Sequence, residues 1–385
     1  MKDHYIVSQP CSTYNRAALR QALSQALGAL SPGGLADYVC PGDRVALKVN
    51  MLMGKPPDRH ITTHPELVAA VAEAVLALGA RPFIIDSPGG PYTSTALRLA
   101  YERCGLAAIA RELGIELNLD TSTTTVKASS GLRLMAAELL RPAVEAAVLI
   151  NLPKLKTHGL TTLTCAVKNM FGLIPGMQKI EYHLRSPEVD DFCGMLVDIA
   201  NLSAPELSIV DAVIGMEGEG PSGGRPRQVG LIIAGENMHA VDSYASRLIG
   251  LSPTDVPTLR LAQAAGMLPN DPDRIRVLGT RLDPIAFVLP GARTRAVPLT
   301  RLLPASWADA AARKLRPLPY FSADTCTDCG ICAASCPPKA LRREGNAKTP
   351  SLSEGECIRC FCCQELCPEH AISVRRSWLG RLLFE

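Results

Sequence analysis

The chain has 385 residues, 47% of them hydrophobic and 20% charged, with 40 Lys and Arg against 37 Asp and Glu. That length exceeds one compact core of ordinary size, so two or three domains are expected, and charges this nearly balanced exclude a global electrostatic footprint for nucleic acid. The start of the chain, Met1 to Ser8, lacks the apolar run and cleavage site of a signal peptide, and nowhere do about 18 apolar residues follow one another, so no transmembrane segment and a cytoplasmic location are expected.

In chain order, a Pro41-Gly42 turn precedes the β-branched run Arg44 to Asn50, which suits a strand. Thr63-His64-Pro65-Glu66 has the spacing of a capping box, Val68, Val71, Val75 and Leu78 recur on one helical face, and Gly79 stands where a C-terminal cap belongs. Pro82 to Asp86 then reads as a buried strand, completing a β-α-β unit. Further short strands are expected at 147–151, 207–211 and 229–234, with helices near 188–202, 238–249 and 255–265. Short apolar strands between helices imply an α/β fold with a mostly parallel sheet or sheets and helices on both faces, across residues 1–300 and possibly in two lobes. Ligands of such sheets gather at the carboxyl ends of the strands. Asn50, Asp86, Asn151 and Asp211 all fall at or just past the end of an expected strand.

The densest polar constellation runs from Asn151 through Lys154, Lys156, Thr157 and His158 to Thr161, Thr164, Lys168 and Asn169, and ends in a turn at Phe171 to Gly176. If its first part is extended, Lys154, Lys156 and His158 point the same way. If the next part is helical, Thr157, Thr161, Thr164 and Lys168 share a face. Cations and hydroxyls converging near a helix N-terminus suit an anion, so a substrate or cofactor carrying carboxylate or phosphate is expected. A solvated basic loop is the bland alternative, disfavoured because the lysines directly follow a buried strand. His183 and Arg185 can extend the site, although a lone histidine is more often structural. Glu217 and Glu219 lie in a glycine-rich turn, residues 217–224, whose carboxylates can bind metal or take a proton; a flexible surface turn is the other reading. No phosphate-loop or dinucleotide fingerprint occurs. Asp242, near the start of a helix, either stabilises that helix or faces the same cleft.

From Pro290 to Pro319 the pattern weakens, which places a linker over 301–321 with a short helical stretch around Trp307 to Leu315. Two runs follow: Cys326-x2-Cys329-x2-Cys332-x3-Cys336-Pro337 and Cys357-x2-Cys360-x2-Cys363-x3-Cys367-Pro368. Three thiolates at two-residue gaps wrap one side of a cubane, and in this spacing the last cysteine of each run serves the other run's cluster. Cys326, Cys329, Cys332 and Cys367 would hold one 4Fe-4S cluster, and Cys357, Cys360, Cys363 and Cys336 a second. Zinc fits poorly, since it needs two CxxC pairs and not a third cysteine plus a Cys-Pro in each run. The halves match beyond cysteine, Cys336-Pro-Pro-Lys-Ala340-Leu341 repeating as Cys367-Pro-Glu-His-Ala371-Ile372. Cys362, where the first half has Ile331, is expected to pack as a small hydrophobe. Residues 375–385 form an amphipathic tail expected to pack on its own domain, contact with a membrane or partner being the alternative.

Residues 322–374 resemble bacterial two-cluster ferredoxins, a small α+β domain. The run Asn151 to His158, Lys168 to Gly172 and Pro175-Gly176, then Asp211 to Pro221, together with Lys48-Val-Asn50, Thr63-His64-Pro65 and Val241-Asp242, resembles the domain-of-unknown-function 362 family over about 40–265. That resemblance implies an iron-sulfur protein and names no substrate. The reading that follows is an oxidoreductase in which a ferredoxin-like partner loads two clusters that reduce an anionic substrate or cofactor in the α/β cleft. Lys154, Lys156 and Lys168 would hold the anion, and His158, Glu217 and Glu219 would handle protons. Lys48, Asn50, Asp86, Asn151, Thr157, Thr161, Thr164, Asn169, His183, Asp211 and Asp242 would line the site. An additional organic cofactor stays open. The alternative is a non-enzymatic electron-transfer or maturation subunit that docks a protein partner; a redox-sensing DNA regulator lacks a reading helix or basic stripe.

Overall fold

The computed structural model describes residues 3–269, 271, 274–290, 317–345 and 347–375. The expected helical stretch around Trp307 to Leu315 and the tail beyond Arg375 lie outside the described residues. One ten-stranded sheet organises most of the chain up to residue 279, beside a separate hairpin of Thr123–Lys127 and Ala136–Leu140. Its main path runs Ile275–Gly279, His4–Pro10, Arg225–Gly235, Leu207–Glu217, Val148–Asn151, Arg44–Lys48, Arg81–Ile85 and Glu116–Leu117. Five neighbouring pairs are parallel. Arg225–Gly235, third along this path, is antiparallel to both its neighbours, so the path is mostly parallel with one reversed strand.

The sequence produces this sheet because its strands are apolar on alternate residues toward two separate cores. Val45 and Leu47 face one core and Ala46 the other; Val148 and Ile150 oppose Leu149, and Ile232 and Ala234 oppose Leu231 and Ile233. A strand buried on both sides shows no polar face, which is why these runs read as continuous hydrophobic stretches. Helices Arg16–Leu30, Pro65–Ala77, Ser94–Arg103 and Leu106–Leu113 cover one face. Val189–Ser203, Met238–Leu248 and Pro257–Ala264 cover the other. Among the described residues no helix is long and apolar enough to cross a membrane.

Two local expectations are corrected. Thr63 does not cap the following helix: His64 does, its Nδ1 accepting from the Glu66 amide at 3.2 Å. Thr63 instead accepts from the Asn50 amide and donates to the Leu152 carbonyl at 2.6 Å, tying two strand ends together. Asp211 is not at a strand end either, because the apolar run Ala212 to Met216 continues Leu207–Glu217 well beyond it. The polar segment after Asn151 forms a strand, Lys154–His158, and a hairpin return, Thr162–Thr164, alongside Leu207–Glu217. Only Ala166–Asn169 is helical there, so the threonines do not share a helix face with Lys168.

The C-terminal domain pairs Leu318–Phe321 with Ile372–Arg375 and Leu341–Arg342 with Ser351–Leu352, all antiparallel. Its repeat is visible in the backbone: Asp328 and Arg359, Gly330 and Phe361, and Lys339 and His370 occupy matching positions and all adopt positive φ. Cys336, Ala340 and Leu341 meet Cys367, Ala371 and Ile372 in one small core.

The larger domain is pinned by a buried ion pair. Lys154 Nζ lies 2.9 Å from Asp211 Oδ2, and both side chains are 0% exposed. Tyr14 donates to Asp211 at 2.8 Å and accepts from Lys154 at 2.7 Å, while the His64 amide donates to Asp211 at 2.9 Å. Removing one member of such a pair strands the other charge in a medium that cannot solvate it, at a cost of about 3–5 kcal/mol. Asp211→Asn is therefore expected to destabilise the protein by about that amount in urea unfolding, while Tyr14→Phe, losing hydrogen bonds to two charged groups, costs about 1.5–3 kcal/mol.

Candidate functional site

The carboxyl ends of Arg44–Lys48, Arg81–Ile85 and Val148–Asn151 open toward the C-terminal domain, and a cavity of ≈ 90 Å³ lies between the two. Asn50, Asp86, Ser87, Lys168, Asn169, Lys179 and His183 line it from the α/β side; Cys362, Glu365 and Leu366 close it from the other. The closing segment is firmly seated. Glu365 Oε1 stands 3.0 Å from His158 Nε2, the Ser222 hydroxyl donates to the Glu365 carbonyl at 3.2 Å, and Lys55 donates to the Pro368 carbonyl at 3.0 Å. Leu366 approaches the backbone at Gly89, where a Cβ would meet its Cδ2 at 2.8 Å.

His158 has a defined tautomer. Its Nδ1 accepts from the amides of Leu160 and Thr161, so the ring proton sits on Nε2 and faces Glu365. At 3.0 Å the neutral Nε2–H dipole faces the Glu365 carboxylate, a charge–dipole contact. Burial first, then Lys168, pushes the His158 imidazole down to about 4 against the pull of Glu365. Burial acts to raise the Glu365 carboxyl, but His158, Lys168 and His183 outweigh it and hold it at about 2. At neutral pH the segment thus presents a carboxylate to neutral rings and a lysine.

The buried lysines differ in what answers their charge. Lys154 belongs to the Asp211 pair and does not line the cavity. Lys48 is paired with Asp86 at 2.8 Å, and Asp86 also accepts from the amides of Met51 and Ser87. Lys156 has no carboxylate: its ammonium donates to Asn50 Oδ1 at 2.7 Å and the Ile61 carbonyl at 2.8 Å, and burial followed by Lys168 and Lys154 lowers it to about 7. Lys179, which the sequence did not single out, donates to Ser87 and to the Ile174 carbonyl, and burial, with Lys48 and Lys168 adding to it against Asp86, lowers it to about 7. Lys168, partly buried on the cavity wall, donates to no protein acceptor among the described residues.

Lysine 156 also orients a chain of amides. Because it can only donate, Asn50 turns its oxygen toward it and donates to Asn169 Oδ1 at 3.0 Å; Asn169 donates to Asn151 Oδ1 at 2.8 Å, and Asn151 to Ser208 at 3.1 Å. Asp242 accepts from the amides of Ala166 and Val167 at 2.6 and 3.1 Å, so it anchors the turn carrying Lys168 and Asn169 and lies behind the cavity, not in it. Burial raises its carboxyl to about 7 against those two amides. Thr157 donates to the Gly218 carbonyl and Thr161 to the Leu163 carbonyl. Thr164 is buried. Glu217 accepts from the Val288 amide at 3.0 Å, and neither it nor Glu219 lines the cavity. His183 is 7% exposed and stacks on Phe192 at 4.2 Å; burial first, then Lys168 and His158 against the opposing pull of Glu365, lowers it to about 4.

In the C-terminal domain the cysteines ring two hollows. Cys326, Cys329, Cys332 and Cys367 line one; Cys336, Cys357, Cys360 and Cys363 line the other. Each hollow thus takes three cysteines from one run and the fourth from the other. No three His, Cys, Asp or Glu among the described residues converge on a single metal ion. Cys362 is 6% exposed and belongs to neither set; it packs in the cavity wall.

Gly172 reports on how tightly the site is built, since a Cβ there would overlap both the Asp86 carboxylate and the Lys48 ammonium. Gly172→Ala is expected to lower stability by about 1–3 kcal/mol through forced repacking of that pair, read as a lowered unfolding midpoint with iron content unchanged.

The model of the domain of unknown function DUF362 matches residues 45–247, and that of a 4Fe-4S dicluster domain matches residues 318–368. Thylakoid-associated protein sll1697 of Synechocystis sp. is 37% identical over 261 residues, spanning 67% of this chain and 78% of that protein. The lactate racemase apoprotein from Thermoanaerobacterium thermosaccharolyticum is more distant, at 11% identity and a TM-score of 0.42 over 65% of this chain and 58% of that one. The chain belongs to the DUF362 family and carries a 4Fe-4S ferredoxin domain, an iron-sulfur electron-transfer module, toward its C-terminus.

Proposed function

We propose that this protein is an iron-sulfur oxidoreductase in which two 4Fe-4S clusters exchange electrons with an anionic substrate or cofactor held in the interdomain cavity. The observation that carries the reading is the shared wall. Lys168, Lys179 and His183 face the same ≈ 90 Å³ as Cys362, Glu365 and Leu366, and Cys362 lies between two residues, Cys360 and Cys363, that line one of the cysteine hollows. Each cluster, when bound, supplies one electron at a time. The rest is the work of the chain itself. Lys168 offers a cation to the anion, in a volume where charge is worth more than in water. Lys48, Asp86 and Lys179 fix the Ser87 turn, and His158 and Ser222 hold the cluster-bearing segment against the cleft.

In this reading Lys154 and Asp211 act by holding the scaffold, Lys156 and the asparagine chain by orienting the cavity rim, and the turn with Glu217 and Glu219 by receiving the C-terminal segment. A second redox protein such as a ferredoxin meets the exposed side of the cluster domain and balances the electrons gained or lost at the cavity. A cytoplasmic location belongs to the same reading, since reducing surroundings keep cluster thiols available.

The crossed ligand sets make a sharp spectroscopic expectation. In anaerobic protein holding about eight irons, Cys336→Ala and Cys363→Ala should lose the same reduced-cluster EPR signal, and Cys367→Ala and Cys332→Ala the other; pairing by sequence run instead would overturn the assignment. For the cavity, small molecules released from anaerobically purified protein should include an anion by mass spectrometry that is absent from Lys168→Ala. An empty cavity in both proteins, with tight capture of a protein partner, supports the non-enzymatic carrier instead.

A further inference from the structure

The cavity is more selective than an anion site in general, and the following rests on the reading of it as the substrate site. Four charged side chains line it: Asp86, Lys168, Lys179 and Glu365. Asp86 is neutralised by Lys48, which stands 2.8 Å from it. Glu365 then offsets one of the two lysines and leaves a small positive excess, to which Lys156 adds from behind Asn50. A monoanion brings this lining close to neutrality. A dianion exceeds that excess and leaves negative charge poorly compensated in a space only partly open to water, which is costly.

Size narrows the choice further. One water needs about 10–15 Å³ on the measure by which this cavity holds ≈ 90 Å³, so it has room for about six to nine waters. That fits a molecule of a few heavy atoms and excludes a flavin or nicotinamide ring system from the enclosed part. The donors are also directional. Lys168 donates to no protein group, and His183, 7% exposed and clamped by Phe192 and Phe171, makes no hydrogen bond to the protein through either ring nitrogen among the described residues. Both therefore have hydrogen-bonding capacity left over for a guest. The adjoining wall already receives a carboxylate, since Glu365 sits against His158.

We infer that the cavity binds a small monocarboxylate, one oxygen on the Lys168 ammonium and the other on His183, against the wall formed by residues 362–366. The guest would lie between the strand ends and the peptide joining two cluster cysteines, and it would occupy space that the C-terminal segment closes off.

The test uses the full chain, purified anaerobically with its clusters, and isothermal titration with sodium acetate, sodium hexanoate and sodium sulfate. Acetate should bind once per chain, with hexanoate and sulfate at least tenfold weaker. Lys168→Gln should weaken acetate at least tenfold while Lys168→Arg retains most of it, both with wild-type iron content, which separates loss of the charge from misfolding. His183→Gln should weaken acetate severalfold, and the exposed Arg185→Gln should change nothing. Absence of saturable acetate binding, sulfate binding as tightly as acetate, or indifference to Lys168→Gln would each overturn the inference. EPR of the reduced protein distinguishes this from failure of the broader reading: acetate that binds as expected yet leaves both cluster signals unchanged keeps the carboxylate site and removes its role in electron transfer.

Discussion

A lysine ammonium stays charged inside a protein only where something answers the charge, and among the described residues three are buried completely, Lys48, Lys154 and Lys156, beside the strands of one sheet. The arrangement of the larger domain follows from how each is answered. Lys154 takes Asp211 from the neighbouring strand and Tyr14 from the loop before the first long helix, so one ion pair joins elements far apart in the chain. Lys48 takes Asp86 across adjacent parallel strands, and that carboxylate in turn fixes the amides that start two loops. Lys156 is answered only by an amide and a carbonyl, and burial lowers all three ammoniums, Lys156 to about 7.

These differences separate scaffold from site. A desolvated pair such as Lys154 with Asp211 contributes little net stability, because the cost of dehydration nearly cancels the attraction, yet it penalises every arrangement in which one partner is misplaced. It positions. Lys168 and His183, by contrast, keep donors that no protein group takes up among the described residues, and they do so where the sheet meets a second domain. The cavity exists only because the C-terminal segment is docked, since Cys362, Glu365 and Leu366 supply one of its walls. A small enclosed volume next to a redox module suits chemistry that must be shielded from water, where fixed donors interact more strongly than they would in bulk solvent.

Much of this was legible in the residues. Strands buried on both faces have to be short, apolar and separated by helices, so the α/β class followed from composition along the chain. The cysteine spacing carried the 4Fe-4S ferredoxin domain, because a cubane needs thiolates from a loop of fixed reach. The concentration of lysines after Asn151 marked the right region as well. What misled was the assumption that neighbours in sequence share a task. Lys154 and Lys156 are one strand register apart and emerge on the same face, but one meets a carboxylate and the other an amide. Thr63 likewise has capping spacing, and its hydroxyl is taken up by Asn50 and Leu152 instead. Lys179 went unnoticed because a single lysine in an amphipathic helix looks solvated; only folding puts it over the Ser87 turn.

The amino-acid sequence by itself determined the kinds of parts: a doubly covered sheet, a cysteine-rich repeat, and a stock of cations in between. It did so because those features depend on local spacing and on hydrophobic period, which any short window reveals. Tertiary structure alone decided which charges cancel and which face an opening, since a charge is compensated by partners dozens to hundreds of residues away. It also decided that Glu365, an ordinary glutamate between two cluster cysteines, becomes the wall of a cavity lined by another domain. Burial, and not residue type, sets what an ionisable group can do, and burial belongs to the folded chain as a whole.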